Sequence, residues 1–274
     1  MMEKTSARLT SLLLVEERLL EAEYFAAKLF VITDSTNFGY ELNAFLAAAR
    51  SVTFLLQKEM SRVEGFQIWW KTEQEMLRRD ESARFFLGLR NYSQKEGRVS
   101  VVGSRVAGGK WRYMFAGTAD PVPTNLLNRD VGDCCLEHLA KLASAILRFA
   151  NAFPYHSCPA RALTTEGVLA LGLDLDRLEE SVGIPLEFSA VRPPMPIEAR
   201  LRLLSRYVDS VDFEAIDRIA NYAPKPPLSR EHDDIGFGIS LVEQIELARS
   251  AQAPRHHAAR LALTTEFLRS EVKK

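Results

Sequence analysis

Residues recur at three- and four-residue steps through Leu42, Phe45, Leu46, Ala49, Val52, Thr53, Leu56 and Met60. That spacing places them on one face of a long α-helix facing a core. Before it, 9–32 is rich in leucine and alanine, with charges at Glu16, Glu17, Arg18, Glu21, Glu23 and Lys28. The cluster Thr33-Asp34-Ser35-Thr36-Asn37 between the two supplies turn and capping chemistry, so two antiparallel helices are expected. A third helix is expected over 66–79 with Trp69 and Trp70 as its anchors. A fourth begins after Asp80, with Ser82 as its candidate cap, carries Phe85, Phe86, Leu89 and Tyr92, and ends at Gly97.

The period then changes. Val99 and Val101 alternate with polar or small residues, Gly108-Gly109 follows, and Trp111, Tyr113 and Phe115 alternate again. A twofold period around a glycine pair predicts a β-hairpin over 98–116. After Asp120-Pro121-Val122-Pro123, the residues Val131, Leu136, Leu139, Leu142, Ile146, Phe149 and Ala150 mark a closing helix that stops by Pro154. The expected fold class is therefore mainly α: a helical bundle with an inserted hairpin over 1–154, followed by a helical C-terminal module over 155–274. In that second part, prolines and Gly183 separate shorter helices expected near 165–182, 197–208, 213–222, 239–251 and 257–272.

A chain of 274 residues, 47% hydrophobic and 26% charged, can bury a core without disulfide staples. The formal charge of −1 gives no overall field for nucleic acid or anionic membrane, so any phosphate binding has to be local. The apolar run at 12–15 is too short for a signal sequence or a membrane span, and a cytoplasmic location is expected. Cys134, Cys135 and Cys158 form no CxxC pair and read as buried core thiols.

The fourth helix carries Arg90-Asn91, followed by Ser93-Gln94-Lys95-Glu96-Gly97. With the Ala44-to-Ser51 core of the long helix, the tryptophan-rich third helix and the closing helix with Cys135 and Leu139, this stretch resembles the HEPN superfamily over about residues 21–153. The resemblance implies a helical bundle, a homodimer and, in many members, a ribonuclease. Its signature is an arginine, often followed by asparagine, with a histidine four to six residues on. The histidine is thought to move the proton of the RNA 2′-hydroxyl while the arginine offsets charge on the phosphorane.

Arg90 and Asn91 match this signature, but Lys95, Glu96 and Gly97 stand where the histidine is expected. Imidazole titrates near neutrality, whereas an unperturbed lysine, with a pKa of about 10.4, stays a cation. Lys95 can hold a phosphate but cannot take its neighbour's proton. Acidic residues are absent from 97–119, while Arg98, Arg105, Lys110 and Arg112 are basic. The hairpin can thus extend a phosphate-binding surface, or use its charges to guard a solvated edge. The candidate phosphate-binding set is Arg90, Asn91, Lys95 and Arg98, with Arg90 the catalytic candidate if there is catalysis. The structural use of an Arg-Asn pair is also open: Arg90 can pair with an acidic side chain or cap a carbonyl.

Other patterns lack what their chemistry needs. Gly103 to Lys110 has the wrong glycine spacing for a phosphate loop and Trp111 in place of the hydroxyl residue. Gly236-Phe237-Gly238 lacks a third glycine. Glu231-His232-Asp233-Asp234 has no second ligand cluster, and His256 and His257 diverge on a helix, so no metal or cofactor is expected. His138, on the closing helix, is the histidine to measure against Arg90. The expected function is a non-catalytic HEPN-like protein for nucleotide or RNA binding or for dimerisation, without membrane contact. The alternative is a metal-independent ribonuclease of toxin or defence type, using Arg90 with a displaced base such as His138 or Glu96.

Overall fold

The chain divides into two units, Met1–Arg230 and Glu231–Lys274. The computed structural model describes residues 9–106, 109–116, 121–181 and 195–228, all in the first unit. The helices expected near 239–251 and 257–272, and the segments containing His232 and His256, lie outside the described residues.

Helix α1 (Leu13–Lys28) packs along α2 (Ser35–Met60), and the two are joined by the short connection 29–34. The long helix starts seven positions before Leu42, because the Asp34 carboxylate accepts the Asn37 N–H and caps it. Phe38 on that added turn is buried, as are Leu42, Phe45, Leu46, Ala49, Val52, Leu56 and Met60. Of the expected face only Thr53 is partly exposed. Truncation of the fully buried Leu56 to alanine is expected to cost about 2–5 kcal/mol.

Helices α3 (Phe66–Arg79) and α4 (Glu81–Lys95) are separated by one residue, Asp80. The strands β1 (Val101–Val106) and β2 (Lys110–Phe115) pair antiparallel, Val101 opposite Phe115 and Val106 opposite Lys110. Val99 is buried but lies outside the strand. Gly103 is required by close approach: a Cβ there would come within 2.4 Å of the Trp111 ring. The hairpin is tied to the start of α2 by Tyr113, whose ring lies 4.0 Å from that of Phe38 and whose hydroxyl donates to Thr33 O at 2.5 Å.

Helix α5 (Val131–Ala152) runs through the core, burying Leu139, Leu142, Ile146 and Phe149. Two single turns, α6 (Pro154–Ser157) and α7 (Pro159–Ala162), follow it. The helix expected over 165–182 is broken into α8 (Thr165–Leu171) and α9 (Leu175–Ser181), because Gly172 adopts φ 59° and ends the first. Then come α10 (Ile197–Leu204) and α11 (Phe213–Ala220). Cys158, Val211, Ile216 and Ile219 belong to the same core as α1, α2 and α5. Leu163, Leu178, Leu201 and Leu204 form a smaller cluster of their own. Among the described residues no helix is long and apolar enough to cross a membrane.

Candidate functional site: an arginine-rimmed pocket

The site is built on the corner between α3 and α4. Asp80 ends α3 through its N–H to Met76 O and caps α4 by accepting the Ala83 N–H at 2.8 Å. The cap is therefore Asp80; Ser82 instead donates its hydroxyl to Asp80 at 2.7 Å. Lys141, from α5, donates to both Asp80 oxygens at 2.9 and 2.7 Å and also reaches the Ser82 hydroxyl. Burial alone would raise the Asp80 carboxyl; Lys141, the Ala83 N–H and the Ser82 hydroxyl outweigh it and bring the pKa to about 2. This ion pair fixes α4 against α5.

Beside that corner, α2, α3, α4 and α5 enclose a pocket of about 190 Å³. Its floor is formed by buried Leu46, Ala49, Trp70, Phe86 and Leu142. Its rim carries Arg50, Arg78 and Arg84, all exposed, and the half-buried Arg90. Among the described residues no carboxylate lines it and none of these arginines forms an ion pair. Arg50 donates to Thr53 Oγ1 at 2.7 Å and Arg90 to Asn91 Oδ1 at 3.3 Å. Arg84 donates to Arg78 O at 2.6 Å and thereby covers the carbonyl end of α3. Although much of its side chain reaches solvent, Arg50 is partly desolvated against the protein; that and then the charge of nearby Arg90 push it below its ordinary pKa, so the two cations repel across the rim. An anion placed between them would relieve that repulsion.

His138 lines the same pocket as Arg90. Its ring stacks on Phe86, with centroids 4.4 Å apart and planes 9° from parallel. Burial, and next the charge of Lys141, push the imidazole down to about 3, against a smaller opposing effect of Asp80. It is neutral at physiological pH. Among the described residues, three buried nitrogen atoms on pocket-lining side chains find no hydrogen-bond partner: Trp70 Nε1, Arg90 Nε and His138 Nδ1. They come from three different helices.

Of the sequence candidates, the pocket takes in Arg90 and His138 but not Asn91, Lys95 or Arg98. Lys95 is exposed at the last turn of α4. Arg98 turns toward α2, where its guanidinium lies 4.6 Å from the Tyr40 ring centroid and donates to the Tyr40 hydroxyl at 2.8 Å. In the hairpin, Arg105 and Lys110 are exposed, whereas Arg112 donates to Phe30 O at 2.8 Å and pairs with Asp130 at 3.3 Å. The three cysteines are buried and free. Burial pushes the Cys134 thiol up to about 12 and the Cys135 thiol well above its ordinary value, which removes both as nucleophiles. Among the described residues no group of His, Cys, Asp and Glu is placed to hold a metal ion.

The fold and site define a mainly helical domain with a cationic pocket at the meeting point of four helices. The chain belongs to the family described as bacteriophage lambda protein ea47, whose family model matches residues 11–151. That stretch holds α1 to α4, the hairpin, α5 up to its last residue and every residue of the pocket. No curated protein and no solved structure matches the chain.

Proposed function

We propose that the pocket holds the phosphate of a nucleotide or of RNA without cutting it, with Arg90 as the principal ligand. The observation that carries this reading is a set of rim arginines that, among the described residues, have no carboxylate partner and surround a pocket lined by no acid. The resemblance of Arg90-Asn91 and its helices to the HEPN superfamily supports the same class of ligand and adds a homodimer to the proposal, to be checked by light scattering. Titration of single-stranded RNA into the full chain at low ionic strength tests the binding. Binding should weaken as salt rises, because released counterions drive it. Loss of one charge-assisted phosphate contact in Arg90→Ala should weaken it by about tenfold or more. Absence of binding in the wild type at low salt rejects the reading.

A second reading is favoured by one observation, the presence of His138 in the pocket of Arg90. Under it the protein is a metal-independent ribonuclease with His138 as the displaced base. A base with a pKa near 3 is weak at neutral pH, which is why holding is preferred to cutting. RNA incubated with protein in EDTA decides between them: cleavage that is lost in both Arg90→Ala and His138→Phe favours the ribonuclease.

A further inference from the structure

The pocket leaves the hairpin unexplained. Over 97–119 the sequence carries no acid, and Arg105 and Lys110 are exposed. Among the described residues neither forms an ion pair. Charges that only guard a sheet edge need no aromatic ring between them. Yet Trp111 stands there, opposite Arg105 in the strand pair and next to Lys110 in the chain, and it is 40% exposed. A Cβ at Gly103 would come within 2.4, 2.8 and 2.9 Å of the indole Cζ2, Cε2 and Nε1, so the indole fills the space that the glycine leaves open. Tyr113, itself buried and tied to Thr33 and Phe38, meets the indole edge-on, with centroids 6.2 Å apart and planes at 78°. The hairpin thus sets the orientation of the ring before any ligand arrives, which lowers the entropy cost of binding. Tyr24 and Tyr40, also exposed, each have a cation over the ring, Lys28 at 4.7 Å and Arg98 at 4.6 Å from the centroid. Among the described residues no cation and no parallel ring covers Trp111. A held, uncovered indole flanked by free cations complements a flat base with phosphates on either side of it.

We propose that the hairpin is a second contact for single-stranded RNA: one unpaired base stacks on Trp111 while the adjoining phosphates lie on Arg105 and Lys110. This inference rests on the reading of the protein as an RNA binder and adds a contact outside the pocket, whose lining includes no residue of the hairpin. Arg112 is not part of it, because its guanidinium is held by Asp130 and Phe30 O. A base inside a duplex keeps its faces against its neighbours and cannot stack on the indole, so the strand has to be unpaired.

Fluorescence titration of the full chain at low ionic strength with a short oligoadenylate, a duplex RNA of equal length and inorganic polyphosphate tests it. Of the three tryptophans, Trp70 is buried and Trp69 half-buried within an aromatic cluster, so quenching by a stacked base falls on Trp111. The single strand should quench the wild-type emission, and this quenching should vanish in Trp111→Phe, which keeps a ring. Trp111→Ala should weaken binding of the single strand about fivefold or more, the lower end of what one base gains from an aromatic platform, while polyphosphate binds it as it binds the wild type. Arg105→Gln should weaken both ligands and lower the salt slope for the single strand by about 0.7. Should Trp111→Ala fail to fold, the difference in quenching between wild type and Trp111→Phe decides. Unchanged affinity of Trp111→Ala for the single strand, or equal quenching by duplex and polyphosphate, overturns the hairpin contact; the pocket reading survives that outcome if Arg90→Ala still weakens binding. If the wild type binds no RNA at low salt, both fall together.

Discussion

Two groups of arginines in this domain are used in opposite ways. In one, Arg129 pairs with Glu137 at 2.6 Å, Arg148 with Glu73 at 2.7 Å and Arg112 with Asp130 at 3.3 Å, each across a contact of the core's edge. In the other, Arg50, Arg84 and Arg90 surround the pocket and, among the described residues, find only hydroxyl, amide or carbonyl oxygens. A guanidinium matched to a buried carboxylate belongs to the fold, since removing either partner strands the other. A cluster of like charges without counter-charge works against the fold locally and is available to a ligand.

The contrast can be broken most forcefully at the paired group. Arg148→Ala leaves Glu73, 3% exposed, without its guanidinium and should cost about 2–3 kcal/mol in urea denaturation, less than a fully buried pair because Arg148 itself is half exposed to solvent. At the pocket the signs reverse. Arg50→Ala should weaken RNA or nucleotide binding by about tenfold while the urea midpoint stays put or rises slightly, because one like-charge contact is removed. A loss of more than about 1 kcal/mol in stability would place Arg50 with the structural group instead.

The corner between the groups gives a pH signature. Asparagine caps helices as well as aspartate, so Asp80→Asn isolates the charge held by Lys141. The Asp80 pKa is depressed to about 2 from 3.8, so its contribution is present above the unfolded value and disappears as pH falls through 2. Wild type should exceed Asp80→Asn by about 1 kcal/mol at pH 6, with the gap closing between pH 4 and 2 in thermal melts. The smallest effect is assigned to Lys95→Ala. That side chain lies outside the pocket, and its loss should change binding by less than about twofold, through the general field alone.

Much of the fold is legible because burial imposes periodicity. The face from Leu42 to Met60, the tryptophan-anchored third helix, the glycine-bearing hairpin and the closing helix all show it. Boundaries were harder, since they depend on single hydrogen bonds: Asp34 starts α2 early, Asp80 rather than Ser82 caps α4, and Gly172 splits a helix whose apolar pattern runs on. The pocket was legible only at Arg90 and His138. Arg50 and Arg90 do share a sequence mark, the absence of acid at helical neighbours three and four residues away. Arg148 has the same mark and still obtains Glu73 from another helix, so the mark alone does not separate a free arginine from a paired one. Trp70 reads as a core anchor, which it is; that its Nε1 is left without a partner among the described residues is a property of the assembled helices and not of α3.

The one-residue corner at Asp80 has a consequence for the order in which the domain forms. Helices α1 and α2 are sequence neighbours and can meet early, but the Lys141 clamp and the His138 wall come from α5, beyond the hairpin. Closing so long a loop is slow relative to local helix pairing. The pocket is therefore completed late: binding competence needs α5 docked against α3 and α4. In a refolding experiment, recovery of ligand binding should lag the recovery of helical signal, and ligand present during refolding should trap the docked form rather than hasten its nucleation.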